Sequence, residues 1–295
     1  MTPRAWLYFA IVSIVWGIPY LFIKEAVTEL SPVVVAFARL AIGVLVLLPL
    51  AASTGALRGL GSHLGKIVVL ATIEIIGPFI FIATGEQTIS SSLTGILIAT
   101  EPLLIALLAT WLDPSERVTG WRFVRLLLGL VGVATALGMQ LGSGTAFGGA
   151  LLILGASLGY AAGALLVKRW FAGLPAQGVT AAALTVAAVA LALPAMLLKP
   201  HTLPSPQVLG ALLVLGIACT GIGFLTFFLL IYQAGSVRAS LITYVAPVVA
   251  ILLGVRLRGE IITPAIIVGF VLILAGSWFT TGGRLPTRNR VAPAP

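Results

Sequence analysis

Apolar residues in this chain come in runs of about twenty, separated by short stretches of Pro, Gly and charge. A helix needs about 20 residues to cross the hydrocarbon core of a bilayer. Ten runs are long enough: 5–24, 32–51, 66–85, 92–112, 122–140, 149–168, 178–197, 208–231, 238–257 and 263–281. Between them lie the breakers Ser31-Pro32, Gly59 to Gly61, Asp113-Pro114, Gly142 to Gly144 and Pro204 to Pro206. No loop is long enough for a soluble domain. The first run lacks a small-residue cleavage site and continues into Lys24, Glu25 and a second run, so it reads as a retained span. Residues 284–295, rich in Pro and Arg, read as a disordered cytoplasmic tail.

The runs are written twice. SLTGILIATEPLLIALLATWLDPSERVTG begins at residue 92, and VRASLITYVAPVVAILLGVRLRGEIITP begins at residue 237. Pro102 and Pro247 are 145 residues apart, Gln87 and Gln233 146, Lys24 and Lys168 144. The predicted fold is an all-α membrane protein of ten transmembrane helices. Residues 1–145 form one five-helix repeat and 146–283 the second. Five is an odd number, so the second repeat enters the membrane from the opposite side. An inverted repeat of this kind suits alternating access, because exchanging the halves' conformations exchanges the open side.

Composition agrees. Sixty per cent of residues are hydrophobic and 8% charged, too much apolar surface for a soluble domain but suited to lipid. The net charge of +9 does not indicate nucleic acid, because the basic residues sit at the ends of apolar runs. The side holding both termini carries 12 Lys and Arg and the other side 4 (Lys24, Lys199, Arg256 and Arg258), with Arg39 inside a span. That ratio predicts cytoplasmic termini and a multi-pass protein of the cell inner membrane. Cys219 is a lone thiol within an apolar run, and His63 and His201 fall in loops without acidic or thiol neighbours at ligand spacing.

An ionisable group inside lipid is costly, which makes each one a functional candidate. Glu74 lies mid-span one turn before Gly77-Pro78, and Glu101 directly precedes Pro102. Arg39, the basic residue deepest in a span, is their expected ion partner. At the repeat offset Glu101 meets Ala246, Glu74 about Thr220, and Arg39 about Ala182. The scaffold was duplicated without these charges, which predicts a chemically one-sided cavity.

Helix breakers at matched places supply candidate hinges: Gly77, Pro78 and Pro102 in the first half, Gly221, Gly223 and Pro247 in the second. Aromatic residues supply a candidate apolar wall. Trp16 aligns with Tyr160 at the 144-residue offset, and Tyr20, Phe79, Phe224, Phe227 and Tyr244 lie in or near spans with breakers. With Glu74 and Glu101 these form the expected substrate-binding set. Trp6, Trp111, Trp121, Trp170 and Trp278, at span ends, read as interface belts. Gly155, Gly159 and Gly163 make a close-packing face, read first as an intramolecular helix contact in a monomeric protein. No nucleotide loop, HExxH or metal-spaced acid pair appears. The expected protein is therefore no enzyme, needs no cofactor or metal, and runs without ATP. Its expected partners are a small-molecule substrate and the bilayer, not nucleic acid.

The segments WGIPYLFIK (16–24), IATEPLLIALLATWLDPSERVTGWRFVRLLLGLVGV (98–133) and YVAPVVAILLGVRLRGEIITPAIIVGFVLILAGS (244–277) resemble the drug/metabolite transporter superfamily, in its EamA-type exporter branch. The shared pattern is a Pro in the fourth helix of each repeat, a Glu after the next loop, and a glycine-spaced fifth helix. Pro102 with Glu116 and Pro247 with Glu260 fit it; Tyr160-Ala161 departs from Trp16-Gly17. The resemblance implies a cavity between two five-helix bundles and export of metabolites, commonly amino acids, nearest to bacterial exporters of aromatic ones. Export of other metabolites or drugs on the same fold is the alternative, and a membrane-embedded enzyme acting on lipid is a more distant one.

Overall fold

The computed structural model describes residues 1–112, 121–138 and 144–280. Its regular elements among these residues are all helical. Helix α1 (Pro3–Gly17) starts where the Thr2 side chain accepts from Ala5 N–H, and α2 (Pro19–Ala26) continues it after Ile18. Helix α3 (Pro32–Ser53) starts in the same way, with Ser31 accepting from Val34 N–H and Pro32 in the first turn. Proline fits there because the first-turn amides have no helical partner to lose. The third rod joins a 3₁₀ turn (Leu60–His63), α4 (Leu64–Leu70), a π-helical segment (Ala71–Ile76) and α5 (Gly77–Gly85).

Helices α6 (Ser91–Ile98) and α7 (Glu101–Leu112) follow, then α8 (Trp121–Gly138), α9 (Gly144–Trp170) and α10 (Ala176–Leu197). The eighth rod repeats the third: α11 (Pro206–Leu213), a π-helical segment (Val214–Ile222) and α12 (Gly223–Ala234). Short α13 (Ser236–Ala239), α14 (Ile242–Arg258) and α15 (Pro264–Thr280) complete the chain. Seven rods are long and apolar enough to cross a membrane: Pro3–Ala26, Pro32–Ser53, Leu60–Gly85, Ser91–Thr110, Gly144–Trp170, Ala176–Leu197 and Pro206–Ala234. Leu126–Gly138 and Pro264–Phe279 are shorter apolar helices.

Small residues let these rods approach closely. Helix α8 packs on α15 where Gly132 faces Gly269, and a Cβ on either would lie 2.7 Å from the other's carbonyl oxygen. Helix α9 packs on the third rod through Gly155 against Phe81, Gly159 against Pro78 and Gly163 against Glu74. The four-residue glycine spacing thus serves an intramolecular contact. Large apolar side chains such as Leu45, Val189 and Leu197 stay exposed on the outside, where lipid would solvate them.

Two expected breaks take another form. Gly77-Pro78 and Gly221 with Gly223 do not interrupt their rods. Each follows or ends a π-helical segment, and the two segments occupy repeat-related positions. A π turn widens the helix and marks functional sites more often than ordinary stretches. Pro247 lies inside continuous α14, whereas Pro102 follows a true interruption at residues 99–100 between α6 and α7. The 284–295 tail, Glu116, and the side chains of Trp111 and Trp121 lie outside the described residues.

Candidate functional site

The first half presents its charges where the two π segments face the other helices. Glu74 belongs to the 71–76 segment and is half-buried. Gly163 of α9 makes room for it, since a Cβ there would sit 2.6 Å from Glu74 Cβ and Cγ. Glu101 opens α7 just after the interruption, a favourable place for an acid because the helix N-terminus is positive. The turn before it is tied to α9: Thr100 and Ser157 share a hydroxyl hydrogen bond of 3.0 Å, and Ser157 Oγ approaches Ile98 O at 3.4 Å. Ile98 O is the carbonyl that the missing amide of Pro102 leaves without its helical donor.

Arg39 does not pair with either acid. It projects from α3 with 8% of its surface exposed, and its Nε–H donates to Thr220 Oγ1 at 3.0 Å. Its guanidinium carbon lies 4.2 Å from the centroid of Phe79, a cation–π contact. The ion pair found among the described residues is Arg258 with Glu25, far from this site in the chain and at one end of the bundle. Glu74 and Glu101 make no ion pair or hydrogen bond there. The expected Glu–Arg pairing is thereby corrected. Thr220 takes the place because its hydroxyl is held from behind: it donates to Leu215 O, five residues back in the π segment, at 2.9 Å, and its lone pair faces Arg39.

Tyrosine and tryptophan surround the charges. Tyr160 packs against both main hydrophobic clusters and lies within electrostatic reach of Arg39, Glu101 and Glu74. Tyr20 shares this environment with Tyr160, and its ring lies against Gly95. Trp16 forms the apolar side. Its ring meets Phe224 edge-on at 5.4 Å and Phe227 at 4.8 Å, and its Nε1–H donates to Cys219 O at 3.2 Å. Gly223 lets the indole reach the π segment, because a Cβ there would fall 2.6 Å from Trp16 Nε1. Gly221 lets the same segment meet Val46 of α3. Phe79 is buried beneath Arg39 rather than lining open space, and Tyr244 packs edge-on against Trp278 at 5.9 Å.

A second polar cluster joins the two halves at one end of the bundle. Glu260 takes the N-terminus of α6: Ser91 donates its amide at 2.9 Å and its hydroxyl at 2.7 Å to Oε1, and Ser92 donates its amide at 2.9 Å and its hydroxyl at 2.5 Å to Oε2. Burial pushes the Glu260 carboxyl up, but the Ser92 and Ser91 bonds outweigh it and hold the carboxyl below its ordinary range. Lys24 Nζ donates to Glu86 O and, at 2.8 Å, to Ile89 O. Glu29 accepts from Ser205 N–H at 2.7 Å, and the Ser205 side chain together with this amide holds its carboxyl below the ordinary range. Glu86 is fully buried, and among the described residues both its carboxylate oxygens lack a hydrogen-bond partner. The repeat marks Lys24 and Glu260 in the sequence but not their partners, which are loop carbonyls for Lys24 and, for Glu260, the amides and hydroxyls of two serines among many.

The family model described as the EamA-like transporter family matches residues 4–138 and again 147–282. Uncharacterized transporter YoaV of Bacillus subtilis is 25% identical, over 92% of this chain and 94% of its own. Uncharacterized inner membrane transporter YedA of Escherichia coli is 27% identical, over 95% of this chain and 92% of its own. A solved crystal structure superposes with a TM-score of 0.66 at 24% identity, covering 94% of this chain and 96% of that one.

Proposed function

Because the chain belongs to the EamA-like transporter family, and so is a multi-pass membrane transporter of the drug/metabolite superfamily, we propose that it exports neutral amino acids with aromatic or large aliphatic side chains. The observation that carries this reading is the separation of charge: Glu74 and Glu101 stand unpaired among the described residues, while Arg39 is held by Thr220. A zwitterion brings a cation and an anion, and the ring cluster of Trp16, Phe224 and Phe227 offers its side chain an apolar wall. One missing methylene in such a wall costs only about 1–3 kcal/mol, so several amino acids are accepted.

The working cycle is alternating access by ten spans in two inverted five-helix repeats, without ATP. Cytoplasmic termini, from the 12 to 4 charge ratio, place the Glu260–Ser91 end outside. In this reading the Glu260–Ser91 tie holds the outer face shut. The two π segments and Pro102 are the hinge candidates, with Gly77, Pro78, Gly221, Gly223 and Pro247 around them.

Purified protein in liposomes tests the substrate. Phenylalanine or tryptophan should move faster than in protein-free liposomes. Movement of a quaternary drug or a sugar phosphate, with neither amino acid moving, would transfer the reading to drug or metabolite export on the same fold.

A further inference from the structure

We infer that Arg39 is the anchor for the substrate's carboxylate, an assignment that rests on the amino-acid reading above and specifies its anionic contact. Buried guanidinium groups are ordinarily paired with an acid, because an uncompensated charge in a low dielectric costs several kcal/mol. Arg39 is buried to 92% by its 8% exposure and has no carboxylate within 4.0 Å among the described residues. Its protein contacts are a neutral hydroxyl and a ring face. Neither neutralises it.

The geometry also orients it. Thr220 takes the Nε–H, and Phe79 lies against the guanidinium, so the plane is fixed from two directions. The terminal nitrogens make no hydrogen bond among the described residues. A planar fork presented in this way matches the two oxygens of a carboxylate. Thr220 cannot swing away to serve another group, since its own proton is committed to Leu215 O. The π segment thus sets the arginine through its threonine.

Tyr160 lies within electrostatic reach of Arg39, Glu101 and Glu74 together, and no ion pair joins the base to either acid among the described residues. A ligand bearing both charges can therefore bridge positions that the protein itself leaves unbridged. Thr220 lies at about the second-half counterpart of Glu74, so one half contributes the acid and the other the hydroxyl that aims the base. The duplicated scaffold has become a polar axis for one dipolar ligand.

Three ligands of one shape separate the ends: phenylalanine, 3-phenylpropionate without the ammonium, and phenylethylamine without the carboxylate. Binding is measured on the purified full chain, wild type against Arg39→Met and Arg39→Lys. Arg39→Met should weaken phenylalanine and phenylpropionate about 30-fold or more, the usual loss when a buried charge pair is truncated, and leave phenylethylamine unchanged. Arg39→Lys should weaken the two carboxylates by a smaller factor, since a point charge replaces the fork. If Arg39→Met does not fold, the lysine variant carries the comparison alone. Unchanged phenylalanine binding in either folded variant overturns the assignment and leaves amino-acid export standing. Equal loss of all three ligands also overturns it, since that is a structural role. Wild-type binding of phenylpropionate without phenylalanine, lost in Arg39→Met, would keep Arg39 as an anion anchor and remove the amino-acid reading.

Discussion

Lys24 and Lys168 stand 144 residues apart at corresponding places in the duplicated sequence, yet their surroundings differ. Lys24 is half-buried and bonded to two carbonyls of the loop after α5. Lys168 is exposed and makes no hydrogen bond or ion pair among the described residues. The difference extends to each lysine's neighbourhood. Near Lys24, Ser91 and Ser92 are buried under Glu260, and Glu25 pairs with Arg258 at 2.6 Å. At the other end Ser236 is exposed, α13 begins without a side-chain cap, and the halves meet through neutral bonds of Thr2 to Gln233 and Gln177 to Thr54. Equivalent sequence therefore marks equivalent positions but not equivalent contacts. Among the described residues one end is tied by charge and the other by neutral bonds, while Glu116, the repeat counterpart of Glu260, lies outside them.

The largest expected effect lies in the tie itself. Replacing Glu260 with Ala leaves two amides and two hydroxyls at a buried helix start without their acceptor. Hydrogen bonds to a charged group are worth about 1.5–3 kcal/mol each and do not add fully, so the loss should be about 2–4 kcal/mol. Thermal unfolding in detergent measures it, and Glu116→Ala in the same assay gives the comparison. Acid provides a milder version. The folded Glu260 carboxyl lies below its ordinary range, so its stabilisation is complete above the unfolded value near 4.3 and fades as pH falls through the folded one. A melting temperature that is flat from pH 7 to 3 would contradict the capping role.

The lysines sharpen the comparison next. Lys24→Met removes two charge-assisted bonds, about 1.5–3 kcal/mol each at most, and should move the population of the tied state by tenfold or more. Lys168→Met should leave the tied state unharmed and weaken the opposite one. Single-cysteine labelling at Ser205 and at Thr54 reads the two ends. Lys24→Met should speed labelling at 205, and Lys168→Met should slow it. The same direction of change in both variants would show that the lysines do not act on opposite states.

The seven long apolar rods were legible in the sequence because a run of twenty apolar residues can satisfy its backbone in lipid only as a helix. Pro3, Pro32, Pro206 and Pro264 start helices as first-turn prolines should. Glu74, Glu101, Trp16 and Tyr160 were legible as candidates because charge and large rings are rare or repeated there. What stayed hidden were neutral and backbone partners. Thr220 is one of many hydroxyls, and nothing in its neighbours announces that it faces Arg39 rather than a glutamate doing so. The π segments were hidden too, since glycine and proline mark irregularity without saying whether a helix widens or breaks.

Glu86 offers a smaller, pH-dependent contrast. Burial pushes its carboxyl well above the ordinary range, and the Lys24 charge pulls the other way; Glu260 raises it further and Arg258 lowers it. An acid with a raised folded value holds its proton longer in the folded state, so stability falls as pH rises above the unfolded value near 4.3. Glu86→Gln removes the ionisation and keeps the shape. Its melting temperature should exceed that of the wild type by a margin that grows with pH, at a slope no steeper than about 1.4 kcal/mol per pH unit. A constant margin from pH 5 to 8 would mean that Glu86 does not titrate in that window.

The prolines carry the smallest effect and the finest test. Pro102 stands beside a real interruption, with Ser157 near the carbonyl it frees, whereas α14 passes through Pro247 unbroken. If the two halves exchange conformations, the break must move from one fourth helix to the other during the cycle, and both prolines keep that option open. Pro102→Ala should restore an amide that can bond Ile98 O, straighten α6 into α7 and disfavour the tied state. Pro247→Ala should leave the tied state as it is and slow the return. Each should lower turnover about three- to tenfold, with substrate affinity nearly unchanged, because a gating step rather than binding is affected. Pre-steady-state efflux from liposomes separates the two half-cycles. A slowed half-cycle that is the same in both variants would show the prolines to be fixed kinks, and the difference between the two fourth helices would then be permanent rather than one phase of a cycle.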